Sequence, residues 1–202
     1  MVIELVVATR NRHKTHEIQN ILGPEFKVRD LGAHPEVSEI HESGTSFVEN
    51  AKLKALAASS QLPALVIADD SGLEVDALGG APGIYSARYA GVNATDRDKI
   101  DKLLRGLARV RATDDGRRAR FRCVVALARN GDLLGTFEGT VEGRIADKAR
   151  GDAGFGYDPI FVPDGFEQTF GELTTEVKNT ISHRGKAIRA LALRVRRIEF
   201  GD

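Results

Sequence analysis

Residues 64–74 read Ala-Leu-Val-Ile-Ala-Asp-Asp-Ser-Gly-Leu-Glu. The five apolar residues that open this stretch are typical of a short buried strand, and Ser71-Gly72 predicts the end of that strand. Two carboxylates, Asp69 and Asp70, therefore lie at the predicted strand tip. Such a pair either holds a divalent cation or caps its own backbone in a turn, and the local sequence leaves both interpretations open.

Helices are predicted on both sides of this strand. Ser46 and Glu49 have the spacing of a capping box, and the alanine- and leucine-rich sequence up to Ser59 predicts the helix that precedes it. Thr95 begins a segment with apolar residues at helical spacing, which predicts the helix that follows. Strand and helix therefore alternate through the middle of the chain.

The two ends of the chain extend this pattern. Residues 2–8 form an aliphatic run that leads through a polar loop into an amphipathic segment, which ends at Gly23-Pro24. A second short strand is predicted over residues 26–31, and residues 32–44 are predicted as loop. The last helix is predicted from about Ser182 to Ile198.

A long hairpin completes the predicted sheet. Residues 118–129 alternate apolar and polar side chains, Asn130-Gly131 is a strong hairpin turn, and a second extended run continues to about Ile145. Strands that alternate with helices, together with one antiparallel hairpin, indicate an α/β fold with a mixed sheet. We expect one domain over residues 1–202, with two lobes and a cleft between them.

Composition excludes several classes of protein. The 202 residues carry 29 basic and 29 acidic side chains, so net charge gives no indication of a nucleic-acid or membrane partner. A lone cysteine, Cys123, excludes an intrachain disulfide. We expect no secretory signal, and no apolar stretch approaches the ~20 residues that span a bilayer. We expect a cytoplasmic protein.

Polar groups that could bind a phosphate follow the first strand. Thr9, Asn11 and Lys14 lie at the predicted strand-to-helix turn, where a lysine adds to the positive end of the helix. The P-loop pattern is absent. A solvated surface turn is the alternative interpretation.

Glu42 precedes the capped helix. By itself it is typical of a solvated charge, but with Asp70 it matches the sparse carboxylate set that Mg²⁺ takes together with waters and substrate phosphates.

Two further stretches have the composition of a binding pocket. Phe155 and Tyr157 lie among glycines, a pattern that suits either stacking on a flat ligand or a tight turn with Phe155 packed in the core. Lys178, His183 and Arg184 supply donors near the start of the last helix. The alternative there is a Ser182 N-cap followed by exposed basic residues.

These motifs agree in order and spacing with one family. The chain resembles the inosine/xanthosine triphosphate pyrophosphatases, which remove deaminated purine nucleotides from the precursor pool. The matching stretches are Ala8-Thr9-x-Asn11-x-x-Lys14, Glu42-x-Gly44-x-x-Phe47-x-Glu49-Asn50-Ala51, Ala68-Asp69-Asp70-Ser71-Gly72-Leu73-Glu74-Val75, Leu78 to Tyr89, Gly154-Phe155-Gly156-Tyr157-Asp158-Pro159 and Ser182-His183-Arg184-Gly185.

The resemblance implies a two-lobed α/β fold, a homodimer, and Mg²⁺-dependent cleavage of ITP, dITP and XTP to the monophosphate and pyrophosphate, with Mn²⁺ as a possible substitute. It implies that Asp70 is the proton acceptor and a metal ligand, and that Glu42 is the second ligand. The implied substrate contacts are Thr9, Arg10, Asn11, Arg12, His13, Lys14, Ser71, Phe155, Gly156, Tyr157, Asp158, Lys178, His183 and Arg184.

Three points follow from comparing this chain with the family pattern. Arg10 occupies a position where glycine is common. Asp69 is expected to tune its neighbour or hold the turn. Arg184, helped by His183, is our hypothesis for the donor to the purine 6-oxygen, which adenine lacks.

Two rival functions remain at this stage. A non-catalytic nucleotide- or RNA-binding protein would use the basic last helix. A general phosphatase of similar fold would release orthophosphate.

Overall fold

The computed structural model describes residues 2–38, 40–113 and 115–201, and these residues form six strands and five α-helices. The strands are β1 (Ile3–Val7), β2 (Phe26–Asp30), β3 (Val66–Val75), β4 (Arg118–Arg129), β5 (Asp132–Ile145) and β6 (Phe161–Pro163). The helices are α1 (Arg12–Leu22), α2 (Phe47–Ser59), α3 (Asp96–Arg109), α4 (Thr175–Ile181) and α5 (His183–Phe200).

The six strands form one mixed sheet in the order β2-β1-β3-β4-β5-β6. β1 pairs in parallel with both β2 and β3, whereas β5 and β6 are antiparallel, with Ile145 opposite Phe161. The two-residue connection between β4 and β5 is the predicted hairpin, and Asn130 and Gly131 both have the positive φ that its tight turn requires. The predicted mixed α/β fold is confirmed.

The predicted end of β3 is wrong. The strand continues through Ser71-Gly72 to Val75 instead of ending there. Leu73 and Val75 are fully buried, and the Leu73 N–H donates to Ser86 Oγ at 2.9 Å. Packing of these apolar side chains therefore outweighs the local turn preference of Ser-Gly, and Asp69 and Asp70 lie within a continuous strand.

The chain forms two compact units. Unit 1 contains Met1–Asp70, Cys123–Gly139 and His183–Asp202, and unit 2 contains Ser71–Arg122 and Thr140–Ser182. Three of the four boundaries fall inside β3, β4 and β5, and the fourth lies between α4 and α5. The assignment of residues 1–202 to a single domain stays a prediction.

Unit 1 has its own apolar core. Aliphatic side chains of β1, of the first half of β3 and of β4 pack with those of α1 and α5, and α1 contacts α5 directly. Cys123 belongs to this core, and burial raises the pKa of its thiol to about 12, so the thiol is inert at neutral pH. The inward face of α5 is apolar, since Ile188, Leu191 and Val195 are fully buried.

Unit 2 has a second core that is richer in aromatic residues. Phe121, Phe161 and Phe170 cluster there, and the rings of Phe121 and Phe161 meet edge to face with centroids 4.8 Å apart. The apolar face of α3 packs against this cluster. Short α4, which the sequence did not predict, is capped by the Thr174 hydroxyl.

The helix starts follow the predicted caps. Ser46 caps α2 by accepting from the Glu49 N–H at 3.2 Å, but the Glu49 carboxylate turns to the N–H and hydroxyl of Thr45. At α3 the capping box between Thr95 and Asp98 is complete. Of the helices in the described part of the chain, none has the length and apolar character to cross a bilayer.

Candidate active site

Two polar side chains interrupt the apolar buried face of α2. Asn50 and Lys54 lie four residues apart, so they are neighbours on one side of the helix. Both are buried, Asn50 completely. The apolar members of the same face are Phe47, Ala51, Ala55 and Ala58. A polar residue on an apolar stripe costs free energy unless it is paired, so each of these side chains requires a partner.

Lys54 brings the two predicted metal ligands to one point. Its ammonium nitrogen lies 2.5 Å from Glu42 Oε1 and 3.6 Å from Asp70 Oδ1. It also donates to the backbone carbonyl of Asp69 at 2.8 Å. Glu42 and Asp70 are therefore gathered around a single cationic group, although they are 28 residues apart in the sequence.

Electrostatics make Asp70 an unusually basic carboxylate. Burial raises its pKa above the ordinary value, and the negative charge of Glu42 raises it further. Lys54 and a hydrogen bond from Asn50 oppose this rise without cancelling it. The pKa of Lys54 is itself raised because the surrounding carboxylates outweigh its own burial. A raised pKa makes a buried carboxylate a better proton acceptor.

Asp69 occupies a different electrostatic environment. Lys14 Nζ lies 3.0 Å from its Oδ1, and Arg184 Nη2 lies 3.1 Å from its Oδ2. On its other side, Arg184 Nη1 pairs with Glu17 of α1. Burial opposes ionisation, yet Lys14, Arg184 and Lys54 hold the pKa of Asp69 far below its usual range. Asp69 therefore stays ionised and joins α1, β3 and α5 within unit 1.

The loop before α1 is ordered by its own hydrogen bonds. Asn11 is the N-cap of the helix, and its Oδ1 accepts from the N–H groups of His13 and Lys14 at 3.0 and 3.4 Å. Thr9 Oγ1 accepts from the Asn11 N–H at 3.1 Å. This arrangement directs Lys14 toward Asp69, while the side chains of Arg12 and His13 are exposed.

Arg10 anchors this loop. Its guanidinium donates to the carbonyls of Leu31 and Val37 at 3.0 and 3.1 Å. Within the described residues, the non-glycine positions with positive φ are Arg111 and Asn130, so the backbone at position 10 does not require glycine. The replacement of the common glycine is therefore accommodated without backbone strain.

Unit 2 contains the second group of predicted substrate contacts. Asp158 Oδ2 accepts from the Phe155 N–H at 2.8 Å and from Lys178 Nζ at 2.7 Å. The Lys178 ammonium also lies 5.1 Å from the Phe155 ring centroid, and the ring is half-buried. The Gly156 N–H donates to Asp96 Oδ2 of α3 at 2.6 Å. These bonds fix the backbone that presents Phe155.

Tyr157 is a structural member of this loop. Its hydroxyl donates to the carbonyl of Ser86 at 3.0 Å, and the ring is buried. Glycine is required at position 154, where φ is +76° and a Cβ would lie 2.0 Å from Asp158 Oδ2. The loop is a tight turn, but the Phe155 ring is half-buried rather than packed in the core. Stacking of this ring on a flat ligand stays a prediction.

The expectation of exposed basic residues after Ser182 is wrong. Ser182, His183 and Arg184 are all buried, and Arg184 is only 2% exposed. Ion pairs with Glu17 and Asp69 offset the free-energy cost of burying this guanidinium. The predicted contacts of Arg184, His183 and Ser71 with a substrate stay predictions.

The sequence analysis assigned no role to Lys54, Asn50 or Glu17. A signal for the first two was available, because both fall on the apolar stripe of a confidently predicted helix. Glu17 lies beside Ile18 and three residues after Lys14, but nothing local distinguishes it from a solvated charge. Its partner is 167 residues away, so only the folded chain reveals it.

The donor set suits a hard cation that takes few protein ligands. In the described ranges, no three His, Cys, Asp or Glu side chains converge as a metal cage. Glu42 and Asp70 converge as a pair, and the Lys54 ammonium between them marks a point where positive charge is favoured. Mg²⁺ is commonly held by one or two carboxylates plus waters and substrate phosphates, so the residues present fit Mg²⁺.

Comparisons with known proteins agree with this geometry. The chain belongs to the Ham1 family, whose family model matches residues 5–193. It is 50% identical over 188 residues to a dITP/XTP pyrophosphatase of Shouchella clausii, covering 93% of this chain and 94% of that protein. A dITP/XTP pyrophosphatase of Desulforamulus reducens is 48% identical over 188 residues, covering 93% of this chain and 92% of that protein.

A solved structure supports the same assignment. The HAM1 protein of Coxiella burnetii superposes with a TM-score of 0.85 at 42% identity, covering 96% of this chain and 98% of that one. The family resemblance identified from the motifs is thereby confirmed.

Proposed function

We propose that this chain hydrolyses deaminated purine nucleoside triphosphates, namely ITP, dITP and XTP, to the nucleoside monophosphate and pyrophosphate. The observation that carries the proposal is the convergence of Glu42, Asp70 and Lys54, with a raised pKa at Asp70. The dITP/XTP pyrophosphatase names of its relatives support the choice of substrate.

Glu42 and Asp70 would hold Mg²⁺, with Mn²⁺ as a substitute. When bound, the cation supplies positive charge that offsets the triphosphate and the charge developing on the leaving group. Lys54 contacts both carboxylates, so it would limit their mutual repulsion before the substrate arrives.

Asp70 is the proposed proton acceptor. The oxygen of a water molecule attacks the α-phosphorus in line, and the bond from that phosphorus to the bridging oxygen breaks. The electron pair leaves with pyrophosphate, and the proton of the water passes to the Asp70 carboxylate. Burial favours this step because it makes the carboxylate more basic.

Lys14 is the proposed phosphate ligand in unit 1. Its ammonium lies at the first turn of α1 and is held by the ionised Asp69 at 3.0 Å. A fixed ammonium next to the positive end of a helix needs little reorganisation to bind an anion. Thr9 and Asn11, which order the same loop, would contribute through its backbone geometry.

Base selection is proposed to depend on Phe155 for stacking and on Arg184 for the purine 6-oxygen. Arg184 is immobilised by two carboxylates, so it is a preorganised donor rather than a mobile side chain. A donor that finds no acceptor on adenine would disfavour ATP by ~10⁴-fold.

The product and the site of attack test the proposal together. The enzyme is incubated with Mg²⁺ and each of ITP, dITP, XTP, ATP and GTP in ¹⁸O-labelled water, and the products are identified by ³¹P NMR and mass spectrometry. From ITP, dITP and XTP we expect pyrophosphate and a monophosphate that carries the label, since attack is at the α-phosphorus. Label in pyrophosphate would contradict the mechanism.

The rival functions predict different products. A general phosphatase would release orthophosphate, and a binding protein would release nothing. Two arginines of the last helix give the binding interpretation little support, because Arg184 is buried and Arg196 pairs with Glu25 at 2.7 Å. The homodimer and the cytoplasmic location stay predictions.

A further inference from the structure

Asn50 is hydrogen-bonded at both ends of its side chain. Its Oδ1 accepts from the Gly44 N–H at 2.9 Å, and its Nδ2 donates to Asp70 Oδ2 at 3.0 Å. An N–H demands the oxygen end of the amide and a carboxylate demands the nitrogen end, so the orientation of this buried amide is fixed. One side chain therefore joins the Glu42 loop to β3.

The loop passes very close to this amide. A Cβ at Gly44 would lie 2.7 Å from Asn50 Oδ1, a distance that real side chains do not tolerate. Glu42 is only two residues before Gly44. The hydrogen bond from Gly44 to Asn50 therefore restrains the position of the backbone that carries Glu42.

Asn50 and Lys54 contact different oxygens of the Asp70 carboxylate. Asn50 Nδ2 binds Oδ2, while the Lys54 ammonium lies 3.6 Å from Oδ1. Both donors come from one face of α2, one helical turn apart. The direction in which Asp70 presents its oxygens is thereby set by a single rigid helix.

We propose that Asn50 is a positioning residue that sets the separation and orientation of the Glu42 and Asp70 carboxylates for a divalent cation. The inference rests on the proposed cation site. Groups that orient metal ligands through hydrogen bonds commonly change metal affinity by about 10- to 100-fold when removed. An apolar residue here would leave the Gly44 N–H and Asp70 Oδ2 without these partners.

The test measures Mn²⁺ binding by electron paramagnetic resonance, with Mn²⁺ alone and with a non-hydrolysable α,β-imido analogue of ITP. Asn50→Ala is expected to weaken Mn²⁺ binding about 10- to 100-fold. In steady-state assays the Mg²⁺ concentration for half-maximal rate should rise by a similar factor, and kcat at saturating Mg²⁺ should fall more than KM for ITP rises.

A matched control separates positioning from stability. Gln19 is another side-chain amide that joins two segments: its Nε2 donates to the Phe26 carbonyl, and its Oε1 accepts from the Val28 N–H. Gln19→Ala should lower Tm and leave Mn²⁺ affinity unchanged. Gly44→Ala displaces the Asn50 amide from the other side and should reproduce the weakened Mn²⁺ binding, which keeps the inference testable if Asn50→Ala does not fold.

The outcomes distinguish two failures. If Asn50→Ala and Gly44→Ala lower Tm but bind Mn²⁺ like wild type, Asn50 only stabilises the fold and the inference is overturned. If Glu42→Gln and Asp70→Asn also bind Mn²⁺ like wild type, the proposed cation site itself is wrong, and the inference fails with it.

Discussion

Arg184 donates to Asp69 through two of its nitrogens: Nε and Nη2 lie 3.4 and 3.1 Å from the same oxygen, Asp69 Oδ2. Both side chains are buried, and Glu17 closes the other side of the guanidinium. The charges that position Lys14 are thus part of an ion-pair network built on buried Asp69 and Arg184 rather than on surface charges. Their loss should affect stability as well as activity.

Asp69→Ala is expected to destabilise the protein by about 3–5 kcal/mol, because it removes the carboxylate that buried Arg184 shares with half-buried Lys14. Urea unfolding of the variant and of wild type measures the difference. Asp164→Ala removes an exposed carboxylate that pairs with Arg118, and it should cost under about 1 kcal/mol. Equal losses in the two variants would contradict a special role for Asp69.

The decrease in the free energy of unfolding at acidic pH should also depend on Asp69. The pKa of this group is lowered in the folded state, so its contribution is complete above the unfolded pKa of about 4 and is lost as the pH falls below it. The free energy of unfolding of wild type should therefore decrease on acidification through this range. In Asp69→Asn the decrease should be shallower, and an unchanged slope would count against the lowered pKa.

Asp70→Asn should separate activity from stability. We expect ITP hydrolysis to fall by about 10²- to 10⁴-fold because the proton acceptor is lost. The fold raises the pKa of Asp70 and so disfavours its ionised form, which means that stability from this group increases as the pH falls. At neutral pH the amide should therefore not lower Tm, and a large drop in Tm would contradict this assignment.

Base discrimination should depend on Arg184 but not on Glu17. We expect Arg184→Ala to lower the ratio of kcat/KM for ITP to kcat/KM for ATP by orders of magnitude, as loss of a matched polar contact does. Glu17→Gln loosens the same buried ion pair without removing the guanidinium, so it should lower Tm and keep the ratio. If both variants keep the ratio, Arg184 does not contact the base.

Gly139 of β5 lies against the first turn of α5. A Cβ at this position would be 2.1 Å from the His183 carbonyl oxygen, so Gly139→Ala should cost about 1–3 kcal/mol through forced backbone movement. Gly106→Ala is the matched control inside α3, where the new Cβ would lie 3.4 Å from a flexible Leu78 carbon. That change should stabilise by about 0.5–1 kcal/mol through helix propensity. Chemical denaturation measures both.

Elements with local signals were predictable from the sequence. Asn130-Gly131 specifies a hairpin by its own backbone preference, and Ser46 and Thr95 begin their helices by capping nearby N–H groups. These features need no information from distant residues. The strand that contains Asp69 and Asp70 was also recognisable, but its end was not, because Leu73 and Val75 gain more from the core of unit 2 than Ser71-Gly72 gains from a turn.

The candidate site was predictable only in part. Motifs identified Asp70, Glu42 and Lys14, but the different environments of Asp69 and Asp70 depend on partners far away in the sequence. Arg184 is 115 residues from Asp69, and Asn50 is 20 residues from Asp70. No local pattern encodes which carboxylate receives which cation, so this assignment requires the folded chain.

The uninterrupted course of β3 has a consequence for how this sequence can change. Successive residues of a strand project to opposite faces, which sends Asp69 to Lys14 and Arg184, and Asp70 to Asn50 and Lys54. Inserting or deleting one residue upstream in β3 would turn both aspartates to the opposite face, so that one takes the place of the other and neither keeps its own partners. Homologues should therefore vary here by substitution, and length variation should be confined to the loops before and after the strand.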